Sequence, residues 1–178
     1  MKKAIWTVAL VGLVLAGLLA SAEALTFHAP LTGAQEVPPN ISPATGFAKI
    51  ILNDAEDHLS IFWRFSDLLA PQTAAHIHCC TPPGANAPVR VVPPTLPLGS
   101  PQEFEFDIPD LLAGPALTRA DFVQAMKDGL TYFNVHTQQF PGGEIRGQIQ
   151  IPEPASLVLL GLGLAGVTVA TRKRGRRS

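Results

Sequence analysis

The segment Leu59-Ser60-Ile61-Phe62-Trp63-Arg64-Phe65 decides the fold of this chain. Every second residue, beginning with Leu59, is a large apolar one, and the residues between them are Ser60, Phe62 and Arg64. A period of two is typical of a β-strand that buries one face and exposes the other. The pattern therefore predicts a strand on the surface of a packed sheet.

Further segments predict strands in the same way. A clear alternation occupies residues 132–136 and 145–149, and weaker β patterns occupy residues 25–29, 47–52, 75–79, 89–92 and 104–107. Eight short strands in one domain predict an all-β fold, an antiparallel β-sandwich or barrel.

One short helix interrupts the strands. Thr118-Arg119-Ala120-Asp121 resembles a capping box in which Asp replaces Glu. Phe122, Val123 and Met126 follow at helical spacing, and Gly129 ends the pattern. We expect this helix to cover one end of the sandwich.

The charge of the chain is unevenly distributed. The formal net charge is −1, but residues 25–150 hold six Lys or Arg against twelve Asp or Glu. Phosphate binding needs clustered cations, so nucleic acid is excluded as a partner of this segment. About 126 residues suffice for one domain with one core, and two cysteines are too few for a disulfide scaffold.

The N-terminal 24 residues have the pattern of a secretory signal peptide. Lys2 and Lys3 precede an apolar stretch at residues 5–19, and Ala22-Glu23-Ala24 has the small residues that signal peptidase requires. The mature chain is then expected to begin at Leu25. An uncleaved N-terminal anchor is the alternative, because the apolar stretch is long for a signal peptide.

The sequence of residues 151–178 predicts a C-terminal membrane anchor. Pro152-Glu153-Pro154 breaks the chain, about 17 uncharged residues follow, and five basic residues lie between Arg172 and Arg177. The basic residues are expected to stay cytoplasmic. A buried C-terminal helix is the alternative, but the segment has no polar face.

This order of a Pro-Glu-Pro motif, a short transmembrane helix and a basic end resembles the PEP-CTERM sorting signal of Gram-negative bacteria. The resemblance implies an exported precursor that is anchored in the inner membrane and processed by an exosortase-type membrane protease. The product would reach the cell surface or the extracellular matrix, with extracellular polysaccharide as a possible partner.

Four motifs lie between the two terminal segments. They are LTGAQEVPP at residues 31–39, AAHIH at 74–78, YFNVHT at 132–137 and FPGGEIRGQ at 140–148. In this order they resemble the CHRD domain, which is named from its repeats in chordin, over essentially all of residues 25–150. The resemblance implies an immunoglobulin-like β-barrel in a secreted protein, with no established enzymatic activity.

Three histidines are the strongest candidates for chemistry. His76 and His78 are two residues apart on a predicted strand, so their side chains leave the same face. If Phe133 and Val135 face the core, His136 also faces away from it. Three neutral imidazoles with an open position suit zinc or copper.

The pattern is also similar to the copper side of copper-zinc superoxide dismutases. Under that similarity His76, His78 and His136 are copper ligands, and Arg146 guides anions to the site. The sequence departs from that family, because it lacks a bridging histidine, the zinc-loop ligands and the usual cysteine spacing. Two other interpretations stay open, a purely structural role through hydrogen bonds and a catalytic role.

The adjacent residues Cys79 and Cys80 point to opposite faces if both lie on a strand. A disulfide between them is therefore not expected to form easily. One or both could add a soft ligand to the histidines, or form a disulfide between molecules. Alternatively, one thiol is buried as a small apolar group, and the other is exposed and has no role.

The segment Gln139-Phe140-Pro141-Gly142-Gly143-Glu144 predicts a hairpin turn, because its glycines allow positive φ. Glu144 and Arg146 share one strand face, and we expect a solvated ion pair there, worth under about 1 kcal/mol. Glu36 has no carboxylate partner at a recognisable spacing, so no acid or base role is assigned to it.

Overall fold

The computed structural model describes residues 24–91, 98–109 and 117–152. Most of the predicted signal peptide and the predicted transmembrane helix lie outside these ranges. Ala22, Glu153 and Pro154 also lie outside them, whereas Ala24 and Pro152 are included. Within the described ranges, no helix has the length and apolar character needed to cross a membrane.

All eight predicted strands are confirmed. They are β1 Leu25–Thr32, β2 Thr45–Leu52, β3 His58–Ser66, β4 Gln72–Cys79, β5 Val89–Val91, β6 Gln102–Asp107, β7 Thr131–Thr137 and β8 Ile145–Gln148. The predicted helix is also confirmed, as α1 Arg119–Lys127. A single 3-10 turn, Gly33–Gln35, follows β1.

The strands form one antiparallel sheet in the order β5-β4-β7-β8-β1-β2-β3-β6. Three strands separate Trp63 on β3 from Phe133 on β7 in this order, yet their ring centroids are 5.7 Å from each other. The sheet is therefore curled, so that its two halves face each other across one core. Alternate residues of β1, β2, β3, β4 and β7 fill that core, as their period of two predicts.

The helix begins at the predicted capping box. Thr118 accepts a hydrogen bond from the Asp121 backbone N–H at 3.2 Å, and the Asp121 carboxylate accepts one from the Thr118 N–H at 3.1 Å. Asp can thus replace Glu in this motif. Phe122, Val123 and Met126 are buried in the common core, so the helix is fixed to the sheet by its apolar face.

Candidate metal centre

The register between β4 and β7 places the three histidines on one face of the sheet. His76 is paired with Asn134, and His136 is paired with Ala74, the neighbour two positions before His76. Ile77 on β4 and the two residues that flank Asn134 on β7 are buried in the core. Because side chains alternate along a strand, the histidines lie on the opposite, outer face. The predicted orientation of all three imidazoles is confirmed.

The three imidazoles also converge. One ring nitrogen from each histidine lies within 4.8 Å of one from both others. The ring centroids are 4.9 Å apart for His76 and His136, 5.8 Å for His78 and His136, and 6.0 Å for His76 and His78. Ligands about 2.0 to 2.1 Å from one ion lie roughly 3.3 to 3.6 Å from each other. Small side-chain movements would therefore bring the three nitrogens onto one ion.

Backbone carbonyls orient two of the rings. His78 Nδ1 lies 2.8 Å from the Ala87 carbonyl oxygen, and His136 Nδ1 lies 2.9 Å from the Pro141 carbonyl oxygen. A carbonyl can only accept, so each Nδ1 carries the proton and each Nε2 carries the lone pair. This is the arrangement that fixes the tautomer of a metal-binding histidine.

In each of the three rings, one nitrogen has no hydrogen-bond partner within the described residues. Nε2 of His78, Nε2 of His136 and Nδ1 of His76 are buried and make no hydrogen bond. A buried polar atom without a partner costs free energy, and a bound ion is one of the explanations for it. The three unpartnered nitrogens belong to the same three residues that converge.

Burial favours the neutral form of each ring. It lowers the pKa of His78 to about 4, and the Ala87 carbonyl opposes this shift while the charges of His136, His76 and Arg146 add to it. Burial and the His136 charge lower the pKa of His76. Burial also lowers the pKa of His136, against the opposing Pro141 carbonyl. Neutral imidazole is the form that binds metal ions.

A loop after β4 contacts His78, and Arg146 and Tyr132 hold it in place. The Arg146 guanidinium donates to the Ala85 carbonyl at 2.8 Å and to Asn86 Oδ1 at 3.2 Å. The Tyr132 hydroxyl accepts from the Ala87 N–H at 3.1 Å. The loop in turn supplies the carbonyl of Ala87 that orients His78.

Arg146 is buried beside the Tyr132 ring. Only 1% of its surface is exposed, and its guanidinium carbon lies 3.4 Å from the centroid of the Tyr132 ring. The predicted solvated pair with Glu144 is wrong. Glu144 is fully buried and its carboxylate accepts instead from Thr137 at 2.7 Å and Ser42 at 2.6 Å. The loops that bury these two side chains come from distant parts of the sequence.

The expectation for the cysteines is also wrong, since Cys79 and Cys80 form a disulfide with each other. The alternation argument fails because β4 ends at Cys79, so Cys80 lies beyond the strand. Cys79 is buried in the core and Cys80 is exposed, and the peptide bond between them is cis. In this oxidised form neither sulfur is a thiolate, so the candidate ligands are the three histidines.

Sequence reasoning missed a second buried polar group next to the histidines. Glu36 is 6% exposed, and its carboxyl group interacts with the side chain of Asn134, which lies opposite His76 in the register. Gly143 makes this possible. Its φ is +129°, and a Cβ there would lie 2.5 Å from the Asn134 amide and 2.7 Å from Glu36 Oε1. In the sequence, the paired glycines of the predicted turn are the feature that could have indicated this close approach.

Burial raises the pKa of Glu36 to about 7, although the Arg146 charge and the Asn134 hydrogen bond oppose the shift. The folded protein therefore holds this proton more tightly than the unfolded chain, so stability falls as the pH rises from about 4.5 through about 7. We expect Glu36→Gln to remove this slope. Urea unfolding should show the variant gaining up to about 3 kcal/mol on wild type between pH 5 and pH 8. A difference that does not change with pH would contradict the assignment.

The structure thus defines a class, a curled antiparallel β-domain with a converging histidine cluster on its outer face. The CHRD domain family model matches residues 27–149, and the chain belongs to this family. The model of the PEP-CTERM protein-sorting motif matches residues 150–177. Comparison with curated proteins finds no similar sequence.

The two matches confirm both resemblances drawn from the sequence. The sorting signal marks an exported precursor that is anchored in the membrane and processed to the cell surface. It also implies processing by exosortase-type machinery.

Proposed function

We propose that this chain is an exported CHRD-domain protein that binds one copper or zinc ion through His76, His78 and His136. One observation carries the proposal. Three converging imidazoles each have a buried nitrogen without a hydrogen-bond partner in the described ranges, and carbonyls fix the other nitrogen of two of them. Imidazole nitrogens suit both metals.

Around this site we propose the following organisation. Residues 1–24 are a signal peptide that signal peptidase removes after Ala24, residues 25–150 form the CHRD domain, and residues 151–178 are the sorting segment with a transmembrane helix. The domain is an immunoglobulin-like or superoxide-dismutase-like sandwich, which the curled eight-stranded sheet supports. After processing, the protein remains at the cell surface or in the matrix, in contact with extracellular polysaccharide.

A purely structural role for the histidines is the competing interpretation. The hydrogen bonds from His78 and His136 to backbone carbonyls support it. It gives no reason for burying three more ring nitrogens without partners, each of which costs about 1 to 3 kcal/mol. Metal binding explains why these ring nitrogens have no hydrogen-bond partner. No catalytic reaction is assigned to the site.

Titration of the full chain in detergent with Cu or Zn tests the proposal. We expect one ion per chain, and we expect His78→Ala and His136→Ala to weaken binding at least about 100-fold, because each removes one of three ligands. His58→Ala is the matched control, since this histidine pairs with the exposed Asp107 on another strand pair. Binding that survives both ligand variants, or that is absent in wild type, would overturn the proposal.

A further inference from the structure

We infer that the three-histidine site selects copper(I) over zinc(II), and that Arg146 is the residue that sets this preference. The inference rests on the proposed function, because it concerns the identity of the ion at the same site. It follows from the charge around the ligands and from the number of ligands, which are independent observations.

The first observation is that the site offers no negative charge. The converging group contains three neutral histidines and no carboxylate of the described residues. Among the described residues, the Arg146 cation is a cause of the lowered pKa of His78, and no acidic side chain contributes to the pKa shifts of the three rings. No negatively charged ligand of this group would therefore neutralise the charge of an ion bound here.

The position of Arg146 makes its charge effective. The Tyr132 ring stacks on His78 with centroids 4.6 Å apart and planes 8° apart, and the Arg146 guanidinium carbon lies 3.4 Å from the centroid of the same ring. Tyr132 and Arg146 are 2% and 1% exposed, so water screens this charge little. Coulomb repulsion is proportional to the charge of the ion, so it is twice as large for zinc(II) as for copper(I).

The other groups on this face cancel that charge only in part. Gln148 and Asn134 are neutral, and Glu36 is the carboxyl group whose charge interacts with Arg146. Glu36 interacts with Arg146 and Asn134. Burial raises its pKa to about 7, so near neutral pH it offsets the Arg146 charge only in part. The net surroundings therefore disfavour a doubly charged ion.

The second observation is the number of ligands. Zinc(II) is usually bound in a tetrahedral site, and three histidines leave the fourth position to water. His78 and His136 are only 7% and 8% exposed and His76 is partly buried, which limits the room for that water. Copper(I) accepts three neutral ligands in a trigonal arrangement, so it needs no fourth. Both observations point to the same ion.

The test compares affinities for the two ions in the full chain. Copper(I) is titrated without oxygen and without thiol reductants, in competition with bicinchoninate, and zinc(II) is titrated against a chromogenic zinc chelator. We expect wild type to bind copper(I) at least about 100-fold more tightly than zinc(II). Arg146→Met should lower this ratio about tenfold or more, because removing one buried cation relieves zinc(II) more than copper(I).

Matched variants separate charge from packing. Arg146→Lys keeps the charge and should keep the ratio, even if both affinities fall. Arg64→Met makes the same chemical change at an exposed position on β3 and should leave the ratio unchanged. A structural role for Arg146 would weaken both ions alike and would not move the ratio.

The outcomes distinguish the two proposals. If neither ion binds, the proposed function fails. If both bind but zinc(II) is the tighter, or Arg146→Met leaves the ratio unchanged, the metal site stands and the selection of copper(I) is overturned. If Arg146→Met does not fold, the wild-type ratio alone decides, and a ratio below one overturns the inference.

Discussion

Replacing Glu144 by alanine is expected to lower the free energy of unfolding by about 3 to 5 kcal/mol. Its carboxylate is fully buried and accepts hydrogen bonds from Ser42 at 2.6 Å, from the Leu69 backbone N–H at 2.8 Å and from Thr137 at 2.7 Å. These donors come from the β1–β2 loop, the β3–β4 loop and the end of β7. The variant leaves the buried Thr137 hydroxyl and the partly buried Ser42 hydroxyl without this acceptor, and the three segments lose their shared contact.

Urea unfolding of the full chain, followed by circular dichroism, measures this loss. Glu105→Ala is the control, because its carboxylate also accepts a hydrogen bond, from Ser60 at 2.9 Å, but is exposed. We expect the control to change stability by less than about 1 kcal/mol. Equal losses in the two variants would show that the Glu144 network does not hold the loops together.

Trp63→Ala is expected to cost about 3 to 5 kcal/mol, since it empties the centre of the core. Trp63 is fully buried on β3 and contacts Phe133 from the facing half of the sheet. The lost ring would leave a cavity between the two halves. The unfolding midpoint in urea should fall accordingly.

Trp63→Phe provides the sharper comparison. The indole Nε1 is buried and has no hydrogen-bond partner in the described part of the chain, so phenylalanine removes an unpartnered donor together with some volume. The two effects have opposite signs, and we expect a net change within about 1.5 kcal/mol. A loss as large as that of Trp63→Ala would mean that the indole N–H is satisfied.

The strands and the histidine cluster could be predicted because both depend on local alternation. A period of two fixes which side chains share a face, so the orientation of His76, His78 and His136 followed from the apolar character of Ile77 and Phe133. The convergence of the rings required β4 and β7 to be neighbours, which the sequence allowed but did not decide.

What covers the cluster could not be predicted in this way. Arg146 and Glu144 look like exposed strand residues, because alternation identifies the outer face but not the loops that pack over it. The burial of Glu36 depends on the close approach of Gly143, more than a hundred residues later in the chain. The Cys79–Cys80 disulfide depends on where β4 ends, and strand ends are set by tertiary contacts.

The sorting signal and the domain determine two different properties of this protein, its route to the cell surface and its chemistry. The match over residues 150–177 says how the chain reaches the cell surface. The CHRD match over residues 27–149 gives the family, and the chemistry depends on the histidine face within it. The proposed function therefore depends on that face and on no part of the sorting segment.

X-ray absorption at the metal edge tests the histidine site most directly, with the full chain loaded with one equivalent of copper(I) or zinc(II). The account predicts three imidazole nitrogens at about 2.0 to 2.1 Å, with the outer-shell scattering of imidazole rings, and no sulfur ligand. The imidazole signal should fall by one ring in His136→Ala. A first shell of sulfur at about 2.3 Å, or of oxygen without imidazole scattering, would contradict the site.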